Sequence, residues 1–321
     1  MGHVLVRRVA ARAGEAALSL ILLVTLAFFL AHAAPDGPEY AILGVRMSPT
    51  RVHQVAVRLG LAMPVWRQYE IWWRHVLQGS LGYSFLLNRP VTGLLADYAG
   101  NSAALLGAGF GCGFLLTLAG GLAHGAWYRR WPGRVLGGVE LLLYAVPGFV
   151  IGTVLILVFS AWLGWLPPGG VADLRLASPG LSDFARHLVL PALTVALVVY
   201  AGLARFFAES VDTELGRPYA RTAAAKGLSP RAILFRHVAP NAIRPLITLV
   251  GLSLPGLFAA SVVVESVFSY PGLGWLLWRS ALARDYPVLI GIVLIIGILT
   301  VVGNLFADLL NTLLDPRLLH A

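Results

Sequence analysis

The sequence contains few charged residues. Asp, Glu, Lys and Arg make up only 12% of its 321 residues, about half of the roughly 25% that is usual in soluble domains. Hydrophobic residues account for 58% of the chain, and they are collected into long runs. This balance excludes an ordinary soluble domain and indicates a membrane protein.

Lysine and cysteine are nearly absent, and each absence excludes a kind of site. Lys226 is the only lysine, and its neighbours Ala225 and Gly227 do not fit the GxxxxGK[ST] loop that binds ATP phosphates. Cys112 is the only cysteine, which excludes an intramolecular disulfide and a CxxC metal site. The motifs HExxH and GxSxG are also missing. We therefore predict that this chain has no catalytic residue, no bound metal and no cofactor of its own.

The formal net charge is +9, and nearly all of the basic residues are arginines. A basic balance of this kind can indicate nucleic-acid binding. Most of the arginines, however, lie beside apolar runs, where orientation in a membrane explains them more simply. We predict a lipid membrane as a partner and no nucleic acid.

Six apolar runs approach or exceed the ~20 residues that cross a bilayer. They are Ala16–Ala34, Ser102–Ala123, Val135–Leu166, His187–Ala204, Pro245–Val264 and Pro287–Ala307. Together they predict an all-α membrane protein with six transmembrane helices.

Four of these runs carry further predictions. The first could be a cleaved signal peptide, because Ala31-His32-Ala33 resembles a cleavage site, but its length favours an uncleaved span. The third is too long for a simple span, so we predict a break at Pro147-Gly148. The fourth should kink near Pro191. Closely spaced glycines in the second, from Gly107 to Gly113, predict tight helix packing.

The basic flanks of the runs set the orientation. Arg7, Arg8 and Arg12 precede the first run, Arg129, Arg130 and Arg134 follow the second, and Arg217 to Arg244 lie between the fourth and fifth. Six spans place all of them on one face, which the positive-inside rule assigns to the cytoplasm. Both termini are therefore predicted to be cytoplasmic.

The apolar runs and the segments between them divide the chain into four regions. Residues 1–34 form a basic leader and the first span, and 35–100 an outer region of short amphipathic helices. Residues 101–310 form a five-span core that contains a cytoplasmic loop at 205–244, and 311–321 a cytoplasmic tail. In the outer region, Gly79 and Gly82 are expected to interrupt the helices.

Few ionisable residues lie within the runs. Glu140 and Asp308 do, and Glu265 lies at an outer boundary. We predict that Glu140 faces the inner interface and that Asp308 bonds a neighbouring helix, rather than that they form a proton relay. A chain with so little intramembrane charge and no ATP site is expected to take its energy from a partner. The alternatives are a secondary carrier or channel that works alone, and an assembly protein without a pathway.

The segment from Arg217 to Asn241 is the candidate surface for that partner. Pro218 and an Ala-rich stretch predict a helix over Tyr219–Lys226, Gly227 a left-handed helix end, and Ser229-Pro230 the start of a second short helix. One helical face carries almost no side chain. That face comprises Ala220, Ala223, Ala224 and Gly227. It predicts a docking element whose backbone another protein surface can approach closely.

The segment YARTAAAKGLSPRAILFRHVAPNA resembles the cytoplasmic EAA-type loop of ABC-importer permeases. The stretches VVVESVFSYPGLGWLLWRSALARDYPVLIG and NLFADLLNTLLDPRL are similar to the B-type subunit of the dipeptide/oligopeptide/nickel group. Leu81-Gly82-Tyr83-Ser84 and Arg89-Pro90-Val91 resemble that subunit's outer region. One departure is an Ala where many such permeases carry the Glu of the loop motif, which weakens any salt-bridge role for that position.

The resemblance implies a type I importer permease fold and an assembly in a bacterial or archaeal cytoplasmic membrane. A homologous second permease subunit, two ATPase subunits that bind ATP and Mg, and a soluble substrate-binding protein would complete it. Peptides are the expected cargo, with nickel, glutathione and oligosaccharides left open.

The resemblance also implies roles for two groups of residues. Residues expected to couple the chain to the ATPases are Tyr219, Ala220, Arg221, Ala223, Ala224, Lys226, Gly227, Leu228 and Arg231. Residues expected to shape an outer gate or the face for the binding protein are Glu265, Tyr270, Pro271, Gly272, Gly274 and Asp285.

Overall fold

The structure is a computed structural model and describes residues 2–34, 49–127, 130–173, 175, 178 and 180–314. Helices dominate these ranges, and the β-structure within them is an isolated antiparallel bridge between Tyr83 and Pro90. The predicted all-α fold class is confirmed for this part of the chain.

The described residues form twelve α-helices. Their bounds are α1 Gly2–Ala33, α2 Pro49–Arg58, α3 Val65–Leu77, α4 Val91–Ala126, α5 Trp131–Ala145, α6 Gly148–Leu155, α7 Leu181–Leu215, α8 Pro218–Ala225, α9 Pro230–Ile233, α10 Ala239–Val267, α11 Leu273–Leu282 and α12 Tyr286–Leu314. Two of them continue as π-helices, α6 as Ile156–Trp162 and α9 as Leu234–Val238.

Four of these segments are long and apolar enough to cross a membrane: Gly14–Ala33, Val91–Ala126, Leu181–Leu215 and Tyr286–Leu305. Two bent pairs pass the same test when each pair is taken together. The first joins α5 to Gly148–Trp162 at 104°, and the second joins Pro230–Gly251 to Gly256–Val267 at 67°. The described residues therefore hold four spans, or up to six, at the places of the six apolar runs.

The predicted break in the third run is confirmed, whereas the fourth run is longer than predicted. α5 ends at Ala145 and α6 begins at Gly148, with Pro147 in an extended conformation, because its ring cannot continue the preceding helix. Pro191 lies inside α7, which runs without a break from Leu181 to Leu215, and the kink near it stays a prediction. The polar residues of its two ends masked this length, since they interrupt the apolar pattern.

Residues 1–101 and 272–305 form one compact unit, here called unit one. Gly79 and Gly82 have φ angles of +81° and +87°, and the helical conformation ends before them, after α3, as predicted. α4 begins at Val91, inside the predicted outer region, because Pro90 starts the helix with its fixed φ. The buried apolar core of this unit includes Val24, Phe28, Trp72, Leu94 and Ile290.

Residues 102–271, with 306–321, form unit two. Its central helix is α7, which packs against α10, α5 and α6. Gly109 and Gly113 of α4 bring that helix close to α7, since an added Cβ would lie 2.6 Å from the Val195 Cβ and 2.7 Å from the Val199 Cβ. The predicted tight packing is confirmed for these two glycines, whereas Gly107 and Gly111 face open space.

The last outer connection contains a helix that the sequence analysis missed. The predicted turn at Tyr270-Pro271-Gly272 is present, since α10 ends at Val267 and α11 begins at Leu273. α11 then buries Leu273 and Leu276, one helical turn apart, in the core of unit one. The sequence pattern did not indicate this helix, because its apolar residues lie all around it and show no single apolar face.

Candidate functional site

The loop between α7 and α10 has the predicted local structure at its first turn. α8 covers Pro218–Ala225, and Gly227 follows with a φ of +83°. A left-handed residue of this kind commonly ends a helix. The Ser229 hydroxyl accepts a hydrogen bond from the Ala232 N–H at 3.3 Å, which confirms it as the N-cap of α9.

The second short helix, predicted to start at Ser229-Pro230, is not a separate element. α9 passes through the π-helix Leu234–Val238 directly into α10. The backbone therefore stays helical from Pro230 into the fifth apolar run. Asn241 supports this junction by donating a hydrogen bond from its amide to the His237 carbonyl at 2.8 Å.

Half of the predicted small-residue face is internal. Ala220 and Ala223 are buried, at 4% and 7% exposure, and they pack in the same core as Ile233 and Leu234. These two alanines hold α8 against its own chain, and the core of unit two covers this part of the small-residue face. A direct contact of Ala220 and Ala223 with a partner stays a prediction.

The exposed part of the loop is small-faced and basic. Ala224 and Gly227 are exposed, and so are Arg221, Lys226 and Arg231. We call these five residues the basic loop surface. Leu228 is half-buried and packs on the core of unit two.

Two exposed residues that the sequence analysis did not single out lie next along the chain. Phe235 is 61% exposed, and Arg236 is also exposed. An aromatic residue beside an arginine is a combination that suits a protein interface, so the sequence pattern could have indicated them.

Tyr219 fixes the start of α8 rather than offering a free contact. Its hydroxyl donates a hydrogen bond to Glu214 Oε2 at 2.6 Å. Burial, together with this hydrogen bond and the charge of Glu214, raises the pKa of Tyr219 to about 12. The hydroxyl therefore remains a proton donor at physiological pH, and it ties α8 to the end of α7.

Two of the three outer candidates in unit two are buried. Glu265 is fully buried and accepts a hydrogen bond from the Ser102 hydroxyl at 2.7 Å. Tyr270 is also fully buried, and burial, together with the charge of Glu265, raises its pKa to about 12. Pro271 is half-buried. Glu265 and Tyr270 therefore support the interior of unit two in this structure, and their predicted part in an outer gate or a binding-protein face stays a prediction.

Asp285, in unit one, anchors the outer turn that follows α3. It is 2% exposed and accepts a hydrogen bond from the Ser84 hydroxyl at 2.5 Å. It also accepts the backbone N–H groups of Phe85 at 3.0 Å and Leu86 at 3.4 Å. The sequence analysis singled out Ser84 and Asp285 separately, and the structure brings them together.

Gly272 and Gly274 are likewise buried. With Asp285, they form part of the internal support of unit one and do not present an exposed face for a binding protein. A gate-shaping role for these residues stays a prediction.

The charged groups within the spans pair between helices. Glu140 is buried on α5 and accepts a hydrogen bond from the Tyr200 hydroxyl of α7 at 3.0 Å. Its position relative to the inner interface stays a prediction. Near the ends of α4 and α7, His124 Nε2 lies 3.4 Å from Asp212 Oδ2. No local pattern indicates these pairings, because the two residues of each pair are far apart along the chain. The side chain of Asp308 lies outside the described residues.

Two protein families match this chain in succession. One, described as "Binding-protein-dependent transport system inner membrane component", matches residues 116–320. The other, the N-terminal region of the same kind of membrane component, matches residues 1–105. The chain belongs to this permease family.

Curated relatives of the permease agree over nearly its whole length. It is 34% identical to the oligopeptide transport system permease protein AppB of Bacillus subtilis over 303 residues, 93% of this chain and 95% of that protein. It is 32% identical to the glutathione transport system permease protein GsiC of Escherichia coli K12 over 300 residues, 94% of each chain. The permease is thus a membrane subunit of an ABC transporter and is not itself catalytic.

A solved structure shows the same fold. The permease chain of the inward-facing MetNI methionine ABC transporter superposes with a TM-score of 0.57 at 16% identity. The match covers 69% of the present permease and 96% of that chain. The fold is therefore that of a type I ABC permease.

Proposed function

We propose that this permease is one of two homologous membrane subunits of an ATP-driven importer, with six spans and both termini in the cytoplasm. A soluble binding protein delivers the substrate outside, and two ATPase subunits bind ATP and Mg inside. The setting is the cytoplasmic membrane of a bacterium or archaeon. Family membership favours this assembly over a carrier or channel that works alone.

The basic loop surface is the proposed ATPase contact, and one observation carries this step. Exposed cations surround Ala224 and Gly227, while Ala220 and Ala223 of the same short helix are locked into the core. An ATPase groove with acidic residues can approach the backbone where the small residues are exposed. The charges would steer the approach, and the fit of the small residues would fix the contact.

The connections of α8 explain how a contact there can move the spans. Tyr219 ties its start to α7 through Glu214. The Ser210 hydroxyl of α7 also donates a hydrogen bond to the Ala242 carbonyl of α10 at 2.9 Å. Because α9 is helical into α10, a push on α8 is passed to rigid helices on both sides. A flexible loop would instead absorb the displacement.

Peptides are the proposed cargo. One relative is named for oligopeptides and the other for glutathione, which is itself a small peptide. Uptake into proteoliposomes that contain the permease, its partner permease and its ATPases, with the binding protein added outside, tests this. Labelled oligopeptide and labelled glutathione would be compared at matched concentrations. If neither compound were taken up in an ATP-dependent way, the proposed cargo would be contradicted.

Ala224 and Ala225 offer a matched test of the coupling role. Both are exposed alanines of α8, but only Ala224 belongs to the basic loop surface. Ala224→Leu should lower ATP-driven uptake at least about ten-fold, because a bulky side chain prevents close approach. Ala225→Leu should retain most of the uptake. Equal activity of the two variants, at equal membrane levels, would overturn this assignment of the coupling face.

A further inference from the structure

Unit one contains a cavity of about 390 Å³ that the proposed function does not use. It lies among α1, α3, the turn between α2 and α3, the outer turn after α3 and the first turn of α12. Its apolar lining includes Phe28, Ile71, Trp72, Tyr286 and Ile290. This volume lies within the ~300–1,000 Å³ of small-molecule sites.

Hydrogen bonds hold the walls of the cavity in place. His32 Nδ1 bonds the Phe28 carbonyl at 2.8 Å, and His32 Nε2 lies 3.2 Å from Gln68 Oε1. The Gln68 amide donates to the carbonyl of Leu61 at 3.2 Å and to that of Met63 at 2.8 Å. These bonds join α1, α3 and the turn before α3 into one wall.

Another part of the lining is the outer turn that Asp285 anchors through Ser84. With both parts of its lining tied by named hydrogen bonds, the cavity is preformed. A ligand therefore needs little rearrangement of the protein to bind there.

The exposed polar side chains at the cavity can each donate a hydrogen bond. Arg58, His75 and Asn88 line it and are exposed, and no Asp or Glu is among the described lining residues. Arg58 forms no ion pair within the described residues. Trp72, which is 8% exposed, has a buried indole N–H with no hydrogen-bond partner there. A buried donor without a partner is unfavourable, so an acceptor that reaches it would be bound favourably.

We infer that this cavity binds a small organic anion, namely a carboxylate that carries one apolar or aromatic group. The apolar group enters among Phe28, Ile71 and Ile290, and the carboxylate remains near Arg58. A guanidinium pairs with a carboxylate through two parallel hydrogen bonds, which makes it selective for this group. The inference goes beyond the proposed function, because it concerns a site within unit one whatever the cargo.

The experiment uses the assembled transporter in detergent and needs no transport. Equilibrium dialysis with radiolabelled N-acetylphenylalanine measures binding, and N-acetylphenylalaninamide is the matched probe without the charge. The acid should bind at least about ten-fold more tightly than the amide, since a charged hydrogen-bonded pair is lost.

Variants then locate the bound probe. Arg58→Gln should weaken binding of the acid about ten-fold, whereas Arg67→Gln, an exposed arginine of α3 outside the lining, should leave it unchanged. Ile71→Trp should abolish binding because it fills the cavity. Trp72→Phe keeps the ring and removes the N–H, and it should weaken binding severalfold.

Competition separates two sources of such an anion. Displacement of the probe by a hydrophobic tripeptide identifies a peptide carboxylate, and displacement by laurate identifies a fatty acid. Either result supports the site. Equal binding of the acid and the amide would overturn it, as would equal effects of Arg58→Gln and Arg67→Gln. Retained binding in Ile71→Trp would do the same, while leaving the proposed import function untouched.

Discussion

The loop after α7 and the outer turn after α3 use charge in opposite ways. In the first, Arg221, Lys226 and Arg231 are exposed. In the second, Asp285 is buried and its oxygens are taken up by Ser84 and two backbone N–H groups. A charge that its own chain satisfies builds structure, whereas a charge left in solvent is available to a partner. The proposed coupling contact and the anchored outer turn follow from this difference.

The largest expected effect concerns the buried charge. Asp285→Ala removes the acceptor of three hydrogen bonds, and the Ser84 hydroxyl, buried with the aspartate, would lose its partner. The variant should lose roughly 3 kcal/mol of stability, measured by thermal denaturation of the purified transporter. The outer turn should also become sensitive to protease.

Asp97 provides the control for this prediction. It pairs with Arg89 at 2.9 Å, and both side chains are more than half exposed. Exposed ion pairs contribute only about 0–1 kcal/mol, so Asp97→Ala should change little. If the two variants melted alike, the contrast between buried and exposed charge would not hold.

The next effect concerns the exposed charges. Arg221→Glu combined with Lys226→Glu reverses two cations of the basic loop surface without touching the core. The double variant should bind the ATPases roughly ten- to hundred-fold more weakly, as measured by copurification and by biolayer interferometry, while its thermal stability stays unchanged. High salt should weaken the unmodified complex in the same direction.

Arg67→Glu reverses an exposed cation of unit one and serves as the control. It should leave ATPase binding as it was. Equal ATPase affinity in the double variant and in the unmodified permease would show that the exposed cations only set the orientation of the chain in the membrane.

The local structure of the loop after α7 could be predicted from the sequence, whereas the burial of its residues could not. The end of α8 at Gly227 and the cap at Ser229 are local, since a residue's own conformation and its near neighbours decide them. The burial of Ala220 depends on Ile233 and Leu234, which approach it only after the chain folds.

The contacts of the outer candidates could not be predicted for the same reason. Asp285 and Ser84 are 201 residues apart in the sequence, and no local pattern reports a contact across that distance. Sequence motifs identified the important residues, but they did not distinguish residues that meet a partner from residues that support the fold. Burial made that distinction.

The smallest expected effect separates backbone geometry from surface contact at Gly227. Its φ is +83°, and an added Cβ would meet nothing within 4 Å. Gly227→Leu should therefore cost about 1–2 kcal/mol through the left-handed backbone alone, and it should lower uptake further by adding bulk to the basic loop surface. Gly227→Asn is the comparison, because asparagine tolerates the left-handed conformation better and is smaller. If the loss of uptake in the two variants followed their loss of stability alone, Gly227 would be a helix end and not a contact. If Gly227→Leu lost more uptake than its stability explains, the small exposed face would be the part of the loop that the partner touches.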